Sequence, residues 1–130
     1  MKRLAVSTVL IVLSANAAGA ADITGLWQTQ PAGNGAYLQV KIEPCGANIC
    51  GIIDGAFTSD HKPATDFKDV GRQMIWDMKS DGSGTWDGGK IWSPENNITA
   101  NGKLALKGDK LVVSGCKGPI CRSQDWTRVK

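Results

Sequence analysis

Along most of its length the chain is a string of short segments in which apolar and polar side chains take turns. Leu38, Val40 and Ile42 fall on one face of residues 36–43, and Tyr37, Gln39, Lys41 and Glu43 fall on the other. That period of two sets one side of a strand against a core and the other toward water. Residues 72–78 repeat it with Met74, Trp76 and Met78 on the inward face, and residues 121–129 alternate again up to Trp126. Leu104, Leu106, Leu111 and Val113 supply the inward positions of two short runs, 103–107 and 110–114, which flank Gly108-Asp109. Residues 23–29, 49–53 and 85–92 complete a set of eight expected strands. In the last of these Gly88-Gly89 marks a bulge or a close backbone approach.

The connections are short and carry turn chemistry. Pro44 to Asn48, Ser80-Asp81-Gly82-Ser83-Gly84 and Gly108-Asp109 each read as a hairpin turn. Residues 54–71 differ: they form a long loop, with one helical turn expected near 66–70. They also hold the chain's one histidine, His61, beside Asp60, Asp66 and Asp69. No strand is followed by a long amphipathic helix, which excludes a parallel β-α-β architecture. A meander of this kind removes its exposed edges by closing on itself. The expected fold is therefore all-β, a small antiparallel up-and-down barrel of about eight strands. Its interior would be wide enough for side chains or one small ligand.

The N-terminus follows a different logic. Lys2 and Arg3 precede an apolar run from Leu4 to Leu13, and Ala18-Gly19-Ala20 offers a small-x-small cleavage site. Residues 1–21 read as a secretory signal peptide cut after Ala20 or Ala21, and 22–130 as a single domain. The apolar run is too short for a membrane span, and no second one follows. Without Lys2 and Arg3, 13 basic residues face 12 acidic ones. That balance gives no footprint for nucleic acid or an anionic membrane.

Four cysteines remain, as Cys45/Cys50 and Cys116/Cys121. An even number in a small exported domain reads as disulfides. Each pair flanks a turn, so bridges 45–50 and 116–121 are favoured. Bridges between the two turns and a four-cysteine metal site are the alternatives.

Signals of catalysis are weak. Gly84 to Lys90 follows most of a phosphate-loop pattern, but Ile91 stands where a hydroxyl is needed and no helix follows. Asp77 to Gly88 fails as a calcium loop, because Lys79 and Gly88 occupy ligand positions. No metal, cofactor or catalytic constellation is expected; an enzyme built on Asp60, His61 and Asp69 is the least favoured reading. Five tryptophans carry more information. Trp76, Trp86 and Trp92, with Tyr37, are the candidates for an aromatic-lined ligand pocket.

Gly25-Leu26-Trp27 with Trp126-Thr127-Arg128 resembles the lipocalin device in which an arginine from the end of the barrel covers a first-strand tryptophan. Gly25, Trp27, Trp126 and Arg128 are accordingly the expected closure residues. A wider resemblance covers nearly all of residues 22–130. Cys45-Gly46, Ile49-Cys50-Gly51, Trp86-Asp87-Gly88-Gly89-Lys90-Ile91-Trp92-Ser93-Pro94, Leu111 to Cys116 and Cys121 to Arg128 resemble the bacterial domain-of-unknown-function family 2147. The chain departs from that pattern at Lys62-Pro63 and at Ile98-Thr99-Ala100. The resemblance implies an exported, periplasmic, lipocalin-like barrel of Gram-negative bacteria with no assigned reaction. The functional expectation is a binder of a small apolar or amphipathic ligand. The alternative is a structural or protein-interaction module of the envelope with a filled core.

Overall fold

The computed structural model describes Ala5 and residues 22–130. The expected signal peptide lies almost wholly outside the described residues. Eight strands follow in order: β1 (Gly25–Gln28), β2 (Tyr37–Cys45), β3 (Asn48–Phe57), β4 (Gln73–Ser80), β5 (Thr85–Ser93), β6 (Ile98–Lys107), β7 (Lys110–Lys117) and β8 (Ile120–Arg128). Each pairs antiparallel with the next, and β8 returns to β1 to close the barrel. Three connections are reduced to two residues, Gly46-Ala47, Gly108-Asp109 and Gly118-Pro119, between the pairs Cys45–Asn48, Lys107–Lys110 and Lys117–Ile120. Gly108 and Gly118 have φ of 62° and 58°, a left-handed conformation that a Cβ would disfavour.

Three irregularities decide which side chains reach the interior. Val40 pairs with Ile53 but Gln39 pairs with Gly55, so Asp54 bulges out of β3. Beyond that bulge Leu38 and Ala56 stay on the inner side, and Tyr37 stacks on Phe57 on the outer side, with ring centroids 5.3 Å apart. In β4 the alternation expected of Met74, Trp76 and Met78 fails. Asp77 has φ of 57°, and Ile75 and Met78 are fully buried while Trp76 is only partly so. β5 is irregular at the same level, where its register with β6 shifts between Trp86 and Gly89. The β4 backbone from Trp76 to Met78 approaches Gly89 so closely that a Cβ has no room. Gly88-Gly89 thus serves as both a bulge and a close approach.

The long loop is shorter than expected, because β3 runs on to Phe57. Its remainder is fixed by a bridge from Phe57 to Pro63, and residues 66–70 form no helical turn. The start of β6 at Ile98 also extends beyond the apolar run that suggested it. Asn101-Gly102 resembles a turn, yet Gly102 sits mid-strand. The end of Met78 and the side chain of Ile91 fill the space its Cβ would take.

Candidate ligand-binding mouth

The two ends of the barrel are built differently. At one end Arg128 lies over Trp27, its guanidinium carbon 4.4 Å from the ring centroid. Its two terminal nitrogens donate to the carbonyls of Thr24 (3.0 Å) and Asp22 (2.8 Å). Trp27 itself donates its indole N–H to the Ile23 carbonyl at 2.8 Å. The C-terminal residues are tied to the same strand, with Leu26 donating to the Lys130 carbonyl and Val129 to the Leu26 carbonyl. Below the middle of the barrel the interior is solid: Ile42, Ile53, Ile75, Met78 and Leu104 are each at most 1% exposed.

At the other end the barrel is hollow. Two clefts, of ≈ 590 Å³ and ≈ 690 Å³, share Gln30, Met74, Ser93, Glu95 and Gln124, and so form one branched mouth. Both volumes fall within the range of small-molecule sites, about 300–1,000 Å³. The first branch runs between Leu38, Ala56, Phe67 and Met74 toward the 58–72 loop. The second descends between Ile91, Val113 and Ala100 to Trp126, which is wholly buried. Gln124 accepts the indole N–H of Trp126 at 3.0 Å, so the floor is apolar with one polar handle. Thr29, the one buried polar side chain among the described residues, accepts the Leu38 N–H at 2.9 Å and extends the β1–β2 pairing into the mouth.

The loop over the first branch is held by Tyr37, whose hydroxyl lies 2.8 Å from His61 Nδ1. Asp60 instead accepts the Thr58 hydroxyl, which holds its carboxyl below the ordinary range, and Asp69 faces Arg72 at 3.7 Å. The three residues of the least favoured enzymatic reading are therefore engaged separately. No group of three metal-ligating side chains occurs among the described residues.

Of the four aromatic pocket candidates only Tyr37 lines the mouth. Trp76, Trp86 and Trp92 line neither branch. Trp86 faces Leu104 across the β5–β6 ladder in the solid half. Trp92 follows inward-facing Ile91, so alternation turns it outward. There Arg72 covers it at 3.4 Å and Asn97 accepts its indole N–H at 2.8 Å. Trp76 is displaced by the Asp77 irregularity. Leu38, Met74 and Val113 line it as the inward positions their alternation marks, whereas the polar residues of the mouth carry no such signal. On β8 the positions in phase with Trp126 are Gln124 and Arg122, where a search for apolar alternation finds nothing.

The disulfides staple both ends. Cys45 and Cys50 are bonded across the β2–β3 hairpin near the solid end, with Cα atoms 5.7 Å apart. Cys116 and Cys121 are bonded directly opposite each other at the mouth, with Cα atoms 4.0 Å apart.

An eight-stranded antiparallel barrel with one sealed end and one open mouth defines a lipocalin-like protein. The solved structure described as "Protein HP1028 from the human pathogen Helicobacter pylori belongs to the lipocalin family" has the same fold. It aligns with a TM-score of 0.67 at 16% identity over 84% of each chain. Residues 25–128 match the family model described as "Uncharacterized protein conserved in bacteria (DUF2147)", and the chain belongs to that family. A search of curated proteins gives no match. Disulfides in a bacterial family point to a compartment outside the cytoplasm.

Proposed function

We propose that this protein is an exported, periplasmic binder of a small apolar or amphipathic molecule, which enters at the mouth remote from the Arg128–Trp27 contact. The observation that carries the reading is the branched hollow above Trp126, in a barrel whose other half is filled. Export rests on the N-terminal pattern of residues 1–21. N-terminal sequencing of the secreted protein is expected to start at Ala21 or Asp22.

Trp126 supplies the reporter for binding. Titration with fatty acids, retinoids and lipid extracts is expected to change tryptophan emission saturably, and Trp126→Phe to remove most of that change. A flat titration with every ligand class would sink the reading.

One observation favours a protein-interaction role as the second reading. β8 has nine residues, but only Arg128 and Thr127 pair with β1 and Gln30 takes the Asp125 N–H, so Ile120 to Gln124 form an exposed strand edge. Such an edge can accept another strand. Pull-down from periplasmic extract, with and without a proline at Ser123, distinguishes it.

A further inference from the structure

The second branch of the mouth has a charge that its apolar floor does not explain. Arg122 and Lys117 both line it. Arg122 pairs with Gly115 and Lys117 with Ile120 across the β7–β8 hairpin, so the two cations are diagonal neighbours on one face. Both are exposed, and neither has an ion-pair or side-chain hydrogen-bond partner among the described residues. The one acidic residue of this branch is Glu95, from the β5–β6 connection.

The wall next to Arg122 is made of small residues. Gly115 stands opposite it, and a Cβ there would meet Ala100 at 3.3 Å. This leaves a slot beneath the guanidinium that leads down to Ile91, Val113 and Trp126. The barrel is also open beside it. Asp125 turns its backbone N–H toward β1, where the Gln30 side chain accepts it at 3.1 Å. By strand alternation the N–H groups of Ser123 and Cys121 point the same way, and β1 supplies no residue opposite them. Ser123 lines the branch as well. Two exposed cations and two outward backbone donors therefore meet at the upper end of an apolar slot.

We propose, resting on the ligand-binding reading above, that this branch takes a single-chain amphiphile with an anionic head, a carboxylate or sulfate. The head sits at Arg122, Lys117 and the free edge of β8, and the chain lies on Ile91, Val113 and Trp126. Glu95 faces the same space and disfavours a second negative charge on the ligand.

The test is tryptophan fluorescence of the purified protein with decanoate, decyl sulfate, 1-decanol and decyltrimethylammonium, all below their micellar concentrations. The two anions are expected to bind about tenfold tighter than the alcohol, the scale of one charge-assisted hydrogen bond, and the cation more weakly still. Raising the salt should narrow that gap. Arg122→Gln should abolish most of the preference, weakening the anions far more than the alcohol, and Arg122→Glu should favour the cation. Arg122 is exposed, so neither variant threatens the fold; an unchanged melting temperature checks this. Equal affinity for all four probes, or an unaltered ranking in Arg122→Gln, overturns the anionic-head proposal while the ligand-binding reading stands. Binding to none of the probes overturns the anionic-head proposal, and the ligand-binding reading falls with it only where retinoids and lipid extracts also leave the emission unchanged. Sedimentation with phosphatidylglycerol vesicles without any binding of soluble decanoate overturns the single-chain site.

Discussion

Arg128 pairs with Trp27 twice over: the two residues are Cα partners in the β1–β8 ladder, and the guanidinium covers the indole at 4.4 Å. The ladder that closes the barrel is thus only two residue pairs long and is reinforced by side chains and by the backbone bonds of Leu26 to Val129 and Lys130. Planarity matters here, because one guanidinium face meets the ring while its edge reaches two carbonyls.

Arg128→Ala is expected to remove about 1–2 kcal/mol of stability and lower the melting temperature by about 5–10 °C. Arg128→Lys should recover less than half of that, because an ammonium cannot fork to both carbonyls. Thermal unfolding followed by near-UV circular dichroism measures both. A lysine variant as stable as wild type would contradict the geometric account.

Two mid-strand glycines on neighbouring strands separate packing from ligand space. At Gly102, the direct partner of Gly115 across the β6–β7 ladder, an added Cβ collides with Met78 and Ile91, so Gly102→Ala should destabilise by about 1–3 kcal/mol. At Gly115 the added Cβ meets only Ala100, at the mouth. Gly115→Ala should leave stability within about 1 kcal/mol but weaken ligand binding. Chemical denaturation and the tryptophan titration, run on both variants, give the two readouts.

Each disulfide closes a very short loop, so its removal should cost only about 2 kcal/mol. The consequences should differ by position. Cys45→Ser with Cys50→Ser acts at the solid end and should change stability alone. Cys116→Ser with Cys121→Ser loosens the strand pair that carries Lys117 and Arg122, and should also weaken binding at the mouth. Equal ligand affinity in both double variants would separate the mouth from its staple.

Acid should weaken the barrel modestly through its surface carboxylates. The Thr24 hydroxyl and N–H, with Arg128 nearby, hold Asp22 below its ordinary value of 3.8. Asp81 is held far lower by the Thr85 and Ser83 hydroxyls and their backbone N–H groups. A carboxylate depressed by folding contributes stability that is fully present above 3.8 and lost as pH falls through its folded value. The melting temperature should therefore be flat between about pH 5 and 7 and fall below about pH 4, and Asp81→Asn should flatten part of that fall. The checking measurement is a pH series of thermal melts for both proteins.

The period-two pattern by itself determined the number of strands, their order, the hairpin turns and the all-β class. These are local choices: side-chain alternation and turn residues act over two to five positions. Gly25-x-Trp27 and Trp126-x-Arg128 each lie within one strand; Arg128 covers Trp27, while Trp126, expected beside them at the closed end, instead floors the mouth. The tertiary structure alone decided which aromatic residues face the hollow. One bulge at Asp54 and the contact between Gly89 and the β4 backbone shift the phase of three strands. They keep Trp76 and Trp92 out of the lining of the mouth and bring Ile75 in. A phase shift is set by the partner strand, so no single-strand pattern reveals it. The mouth was hidden for a related reason: Arg122 and Gln124 occupy inward positions beside water, where alternation no longer sorts polar from apolar.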